Sequence, residues 1–281
     1  MAGRKGRGHV YRLSVANPLS IFEVLWVHRS LIGRLARREV QQRYRGSAFG
    51  LSWSLFHPLM MLGVFSFVFG KVLPSRTGEA VVTPSFGLML FAGLIVFWML
   101  SECLSRAPRL VLENPAFVKR VVFPLEILPW VVVAGALFHM AVSTGILLVV
   151  TWIMQGSVSW TVATLPLIFV PIALLGLGAG WFFSALGAYV RDIGQVMPVL
   201  VTALLFLTPI FYPSEAIPET YRSILLLNPL ADAVEQTRAV TLAGALPDWP
   251  SLLSAFLLSW VLAWLSLGWF ARTRMGFADI V

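Results

Sequence analysis

Residues 124–154 read PLEILPWVVVAGALFHMAVSTGILLVVTWIM, and in that stretch only Glu126 and His139 carry an ionisable side chain. A helix needs about 20 mostly apolar residues to cross about 30 Å of hydrocarbon, because each residue adds about 1.5 Å of rise. The stretch passes that test, and it shows no period-2 alternation of the kind a barrel strand needs. Five further segments pass as well: Phe49–Leu73, Phe86–Ser105, Thr161–Val190, Gly194–Pro213 and Trp249–Ala271. Each is bounded by charge, Pro or Gly. The pattern predicts an all-α polytopic membrane protein with six transmembrane helices.

Composition points the same way. Hydrophobic residues make up 58% of the 281-residue chain and charged residues 12%, with a mean hydropathy of +0.82, whereas a soluble domain carries about 25% charged residues. A lone cysteine, Cys103, excludes an intramolecular disulfide and a paired-Cys metal site.

The few charges are one-sided, giving a formal net charge of +8. Threading the six spans puts every basic residue except Lys71, Arg76, Arg222 and Arg238 on one side. The positive-inside rule makes that side cytoplasmic, with both termini there. The bias therefore reads as topology and membrane surface, not as a nucleic-acid site.

Residues 1–46 form a basic cytoplasmic segment ahead of the transmembrane domain at 47–281. Its start does not read as a cleavable signal, because Glu23, His28 and Arg29 interrupt the apolar run from Leu19 to Ile32. Asn17 and Pro18 suit an N-cap and first helical position. Beyond them Ile21, Leu25, Ile32 and Leu35 share one helical face, and Arg34, Arg37, Arg38, Gln41 and Arg45 make a basic one. An amphipathic interfacial helix is expected; the alternative is a basic tail that only sets topology.

No catalytic or metal motif is present. The phosphate-binding G-x-x-x-x-G-K-[ST] loop, H-E-x-x-H and G-x-S-x-G are all missing, and His9, His28, His57 and His139 are scattered. His139 and Ser143 lie four apart, a spacing compatible with an intramembrane enzyme and equally with helix packing. Glu102 and Glu126 fall near cytoplasmic span ends, not at a midplane relay. No catalytic residue, metal site or cofactor is assigned to this chain. If it moves a solute, ATP and Mg belong to a separate ATPase.

Two connections carry more information than topology requires. The cytoplasmic link 106–123 places Glu113, Lys119 and Arg120 around a short apolar helix that includes Phe117, which suits docking into a partner's groove; the alternative is a loop on the headgroups. The outer stretch 213–248 is too long for a turn and too apolar for a free loop. It reads as two short re-entrant helices, the second starting at Asn228-Pro229 and running to about Ala243, both needing to pack against protein.

Aromatic residues supply the last signal. Phe49, Trp53, Phe56, Met60, Gly63 and Phe67 recur at three- and four-residue steps along the first span. Such a stripe is either lipid contact and interface anchor or the lining of a path on which sugar rings slide, with Phe206, Phe211 and Tyr212 extending it outward.

Several of these residues fall in motifs that resemble a known family. Arg43-Tyr-Arg-Gly-Ser-Ala-Phe-Gly-Leu-Ser-Trp53 with Pro58 resembles the approach to the first span of ABC-2 type permeases that export polysaccharides. Phe117-Val-Lys-Arg-Val-Val-Phe-Pro124 with Pro129, Arg191-Asp192, Thr208-Pro-Ile-Phe-Tyr-Pro213 with Ile217-Pro218, Leu227-Asn-Pro-Leu230 and the closing Gly276-Phe-Ala-Asp-Ile-Val281 follow in matching order.

The resemblance implies a homodimer in the cytoplasmic (inner) membrane, paired with two copies of a cytoplasmic ABC ATPase and exporting a lipid-linked glycan. O-antigen exporters are the nearest in the approach motif and C-terminus; capsule, teichoic acid and small lipid or drug permeases are the alternatives. It also implies site roles. Arg37, Arg38, Glu113, Phe117, Lys119 and Arg120 would couple to the ATPase. Trp53, Phe56, Phe67, Phe206, Phe211 and Tyr212 would line the path, and Pro209, Pro213, Pro218, Asn228 and Pro229 would shape the outer gate.

Overall fold

A computed structural model describes residues 17–68, 85–119, 123–212 and 228–280, which are helical with no strand among them. The long elements are α1 (Ser20–Arg43), α2 (Trp53–Phe67), α3 (Ser85–Arg106), α5 (Leu128–Gln155), α6 (Leu165–Tyr189), α7 (Ile193–Leu207), α8 (Pro229–Thr241) and α9 (Trp249–Thr273). Two short helices, α4 (Pro115–Val118) and α10 (Phe277–Ile280), sit in the link and at the C-terminus.

Helix α6 organises the bundle because its small residues admit close neighbours. A side chain at Gly180 would meet Pro129 Cβ at 2.8 Å, and one at Gly187 would meet the Pro108 carbonyl oxygen at 2.3 Å. The beginning of α5 and the 107–109 turn therefore lie directly against α6. Trp181, fully buried, adds a hydrogen bond from Nε1 to the Glu126 carbonyl at 3.0 Å.

Among the described residues, five helical stretches are long and apolar enough to cross a membrane: Gly50–Phe67, Phe86–Arg109, Leu125–Gln155, Trp160–Tyr189 and Trp249–Gly276. The expected fifth span, Gly194–Pro213, is not among them. Its helix α7 has only 15 residues, about 22 Å at about 1.5 Å per residue. Pro209 is the cause: it drives Thr208 into an extended conformation, with ψ at 137°, and the helix stops there. The far portion of the first expected span lies outside the described residues.

Helix α1 begins three residues after Asn17. That side chain accepts from the Leu19 N–H at 3.0 Å, closing a turn ahead of the helix. Ile21, Val24, Ile32 and Ala36 are buried, the last three clustering with Ile127 and Val131 at the start of α5, flanked by Leu25 and Leu35. Arg34, Arg37 and Arg38 point to the exposed side. Trp26 is also exposed, with the Arg29 guanidinium 4.6 Å over its ring, which is the amphiphile an interface favours.

The 106–123 link carries the expected short apolar helix, α4, with Glu113 and Lys119 on either side of it. It consists of a 107–109 turn and the one-turn α4, broken by Asn114-Pro115. Leu110, Val111 and Val118 are buried in the chain's own core, leaving Glu113, Pro115, Ala116 and Lys119 exposed. Among the described residues of the link from Leu110 onward, the exposed part is thus small: two charged residues and, between them, Pro115 and Ala116.

Helix α8 starts where Asn228-Pro229 indicates, with Asn228 Oδ1 accepting from the Leu230 N–H at 3.0 Å. Polar and apolar residues alike are buried along it, including Gln236, Thr237, Arg238 and Thr241. The first expected re-entrant helix, within 213–227, lies outside the described residues.

Candidate functional site

The arginine-rich end of the bundle holds a cavity of about 550 Å³ between α2, α3, α5 and the residues following α1. Glu102 accepts from Arg43 Nη1 at 2.7 Å and lies 3.8 Å from Arg106 Nη1, while Arg106 also pairs with Glu39. Two arginines and two glutamates thus fasten α1 to α3 with no excess charge. Tyr44 Oη lies 3.4 Å from His139 Nδ1, and His57 packs edge-on to Trp98. Burial raises the Tyr44 hydroxyl pKa above its ordinary value; Arg43 pulls it down and Glu102 pushes it up. His139 and Ser143 both line this cavity, but the hydrogen-bond partner of His139 is Tyr44.

The aromatic stripe begins at the cavity wall. Trp53 lines the cavity and forms a cluster with Phe49 and Phe56, with ring centroids 5.7–6.0 Å apart. The stripe then continues exposed along α2 to Phe67. Ser54, Pro58 and Leu62 form the opposite, buried side of this helix.

A second cleft, of about 300 Å³, separates α1 from the link and brings Arg38, Glu113 and Phe117 together. Phe117 stacks on Phe123 with centroids 4.3 Å apart, closing the link on itself. Arg37 and Lys119 are exposed at the same end without lining the cleft; Arg120 lies outside the described residues. Nearby, Arg274 Nη1 donates to the buried Glu126 carboxylate at 3.0 Å, tying the C-terminal segment to the same place.

At the opposite end Phe206 and Phe211 approach with centroids 6.3 Å apart, and Tyr212 Oη donates to the Phe206 carbonyl at 2.7 Å. Asn228 Nδ2 reaches Thr208 Oγ1 at 3.3 Å, so Asn228 and Pro229 sit beside Pro209. Pro213 and Pro218 lie outside the described residues. Among those described, no three His, Cys, Asp or Glu side chains converge as metal ligands.

Three residues were given no site role from the sequence. Glu102 and Tyr44 became visible only when α1 folded back on α3 and α5. Arg238, deep in α8, had a usable signal: it is one of few basic residues assigned to the outer side, and such a residue in apolar surroundings implies a specific partner.

Against known proteins, a family model described as "ABC-2 type transporter" matches residues 30–242. The chain is 27% identical to the O-antigen export system permease protein RfbA of Myxococcus xanthus, over 92% of this chain and 97% of that relative. It is 25% identical to the protein of the same name from Klebsiella pneumoniae, over 88% and 93%. It is 26% identical to the polysialic acid transport protein KpsM of Escherichia coli, over 80% and 86%.

Proposed function

The chain belongs to the ABC-2 type transporter family, and we propose that it is the permease subunit of an ATP-driven exporter of a lipid-linked polysaccharide, O-antigen in particular. The observation that carries this reading is the aromatic cluster Phe49, Trp53 and Phe56, which begins at a cavity whose arginines are paired with Glu102 and Glu39 and continues as an exposed face along α2. Flat rings let a sugar chain stack and slide without a tight site, whereas a small drug would need an enclosed apolar pocket. Relatives named for O-antigen export and for polysialic acid transport, matched over most of their length, support a polysaccharide substrate.

The working unit would be a homodimer in the cytoplasmic membrane with both termini inside, bound to two copies of a cytoplasmic ATPase that holds ATP and Mg. The exposed faces of α2 and α7 would meet a second copy to enclose the path. ATP-driven closure would press on the α1–link cleft at Arg38, Glu113 and Phe117. Because Pro108 lies against Gly187, that push would reach α6 directly. Nucleotide shifts the channel equilibrium only through contacts that differ between its states, and the exchangeable Arg43–Glu102–Arg106–Glu39 network offers such contacts.

The test is export in cells carrying Trp53→Ala with Phe56→Ala. Slower appearance of surface glycan at unchanged membrane insertion is the expected result; unchanged export assigns the stripe to lipid. Co-purification of a lipid-linked glycan with the permease–ATPase complex tests the substrate class, and its absence favours a small lipid or drug. A capsular polymer in place of O-antigen would show as the glycan retained inside when the chain is removed.

A further inference from the structure

Arg238 sits 5% exposed in α8, far from the charged network of the basic end. Its guanidinium donates from Nε to the Met89 carbonyl at 3.0 Å, from Nη1 to the Pro209 carbonyl at 2.7 Å, and from Nη2 to the Ile210 carbonyl at 2.7 Å. Nη1 also reaches the Glu235 carboxylate at 3.2 Å. One side chain thus joins three segments: its own helix, the first turns of α3, and the chain leaving α7.

Two of the three carbonyl acceptors, Pro209 and Ile210, are ones such a cation should find. Carbonyls at and past a helix C-terminus lack intrahelical partners and carry the negative end of the helix dipole. Pro209 creates that condition by ending α7 early. Access is built into α3, where a side chain on Gly93 would come within 3.0 Å of Arg238 Nη2 and 3.1 Å of Val234 Cγ1. A guanidinium spreads five donors over a rigid planar fork and so reaches carbonyls on separate segments, whereas a lysine ammonium holds three donors on one nitrogen.

We propose that Arg238, seated in the slot left by Gly93, is the positioning residue of the outer gate, holding the backbone of Pro209 and Ile210 so that Phe211 and Tyr212 stay across the mouth of the path. The inference rests on the functional reading for what the gate closes, but not for the clamp itself. Arg238 acts through the backbone of its neighbours and touches no substrate.

The chain's single cysteine, Cys103, is buried, so an added thiol is a selective reporter. In cells expressing the full permease with its ATPase, Phe211→Cys is labelled with a membrane-impermeant maleimide, and Trp160→Cys, 72% exposed, serves as control. Adding Arg238→Met should raise the labelling rate at 211 about tenfold and leave 160 unchanged, with Arg238→Lys between wild type and Arg238→Met. An unchanged rate at 211 in inserted, folded Arg238→Met protein overturns the proposal. An equal rise at both positions also overturns it, because that is general loosening.

If Arg238→Met does not accumulate in the membrane, Gly93→Ala and Arg238→Lys provide the same measurement, and unchanged labelling at 211 in both overturns the proposal. Surface glycan is read in parallel. Its absence with the unmodified chain counts against the functional reading, while the labelling contrast still decides the clamp.

Discussion

At the basic end arginines meet carboxylates on other helices; at the opposite end Arg238 meets mainly backbone carbonyls. The Arg43 side chain, bonded to Glu102, is 50% exposed, whereas that of Arg238 is 6% exposed. Exposed ion pairs contribute about 0–1 kcal/mol and exchange readily with water. A buried cation that loses its partners cannot fall back on solvent. One end is built to rearrange and the other to hold, as expected if force enters on the ATPase side and the far side must stay sealed until it arrives.

The sharpest way to break this contrast is Arg238→Met. It leaves the Pro209 and Ile210 carbonyls without their guanidinium donors in a buried setting, at about 1–3 kcal/mol for each unsatisfied group. We expect the largest loss of thermal stability of any single substitution considered, measured on the detergent-solubilised complex. A loss no greater than that of Glu102→Gln would remove the distinction between the two ends.

Gly187→Ala ranks next. Its new Cβ would meet the Pro108 oxygen at 2.3 Å and the Pro108 Cα at 2.7 Å, and both are backbone-fixed, so the 107–109 turn must move. Overpacking of this kind costs about 1–3 kcal/mol. Because that turn leads into the cleft at Glu113 and Phe117, glycan export should fall further than protein level does, with ATPase activity persisting. Export that tracks protein level would show that α6 does not receive the push.

How much of this was legible in sequence depended on the range of the interaction involved. Hydrophobic length identified the strongly apolar helices, and the Asn228-Pro229 signal located α8 because capping is local. Apolar length misjudged α7, since hydropathy continues smoothly through Thr208-Pro209 while the backbone does not. In the link, the short apolar helix was legible, but not that Leu110, Val111 and Val118 are taken up by the chain's own core. Arg38, Glu113 and Phe117 were each identifiable, but their meeting across one cleft depends on α1 lying back against α5. Glu102, Tyr44 and Arg238 act through contacts 28 to 149 residues apart in sequence, and no periodicity carries that information.

Glu102→Gln sharpens the contrast from the other side. It discharges the carboxylate between Arg43 and Arg106 while Arg106 keeps Glu39. The stability cost should be about 1 kcal/mol or less. Export, however, should change measurably, since α1 loses its charged tie to α3. A large stability loss with normal export would mark this network as scaffold and not as a moving contact.

The smallest effect belongs to Tyr44. Its contact with His139 is long at 3.4 Å, so Tyr44→Phe at neutral pH should change stability by less than about 0.5 kcal/mol. The pH dependence is more informative than that number. Burial holds the hydroxyl above its ordinary pKa, against the pull of Arg43 and with the push of Glu102, so the folded chain keeps a proton that the unfolded chain releases near pH 10. The resulting stabilisation is complete below that pH and is lost as pH rises through the higher folded value. Wild-type protein should therefore lose a small increment above pH 10 that Tyr44→Phe does not. Alkaline melting curves of the two proteins that superimpose would show that Tyr44 is no more shielded in the folded cavity than in the unfolded chain.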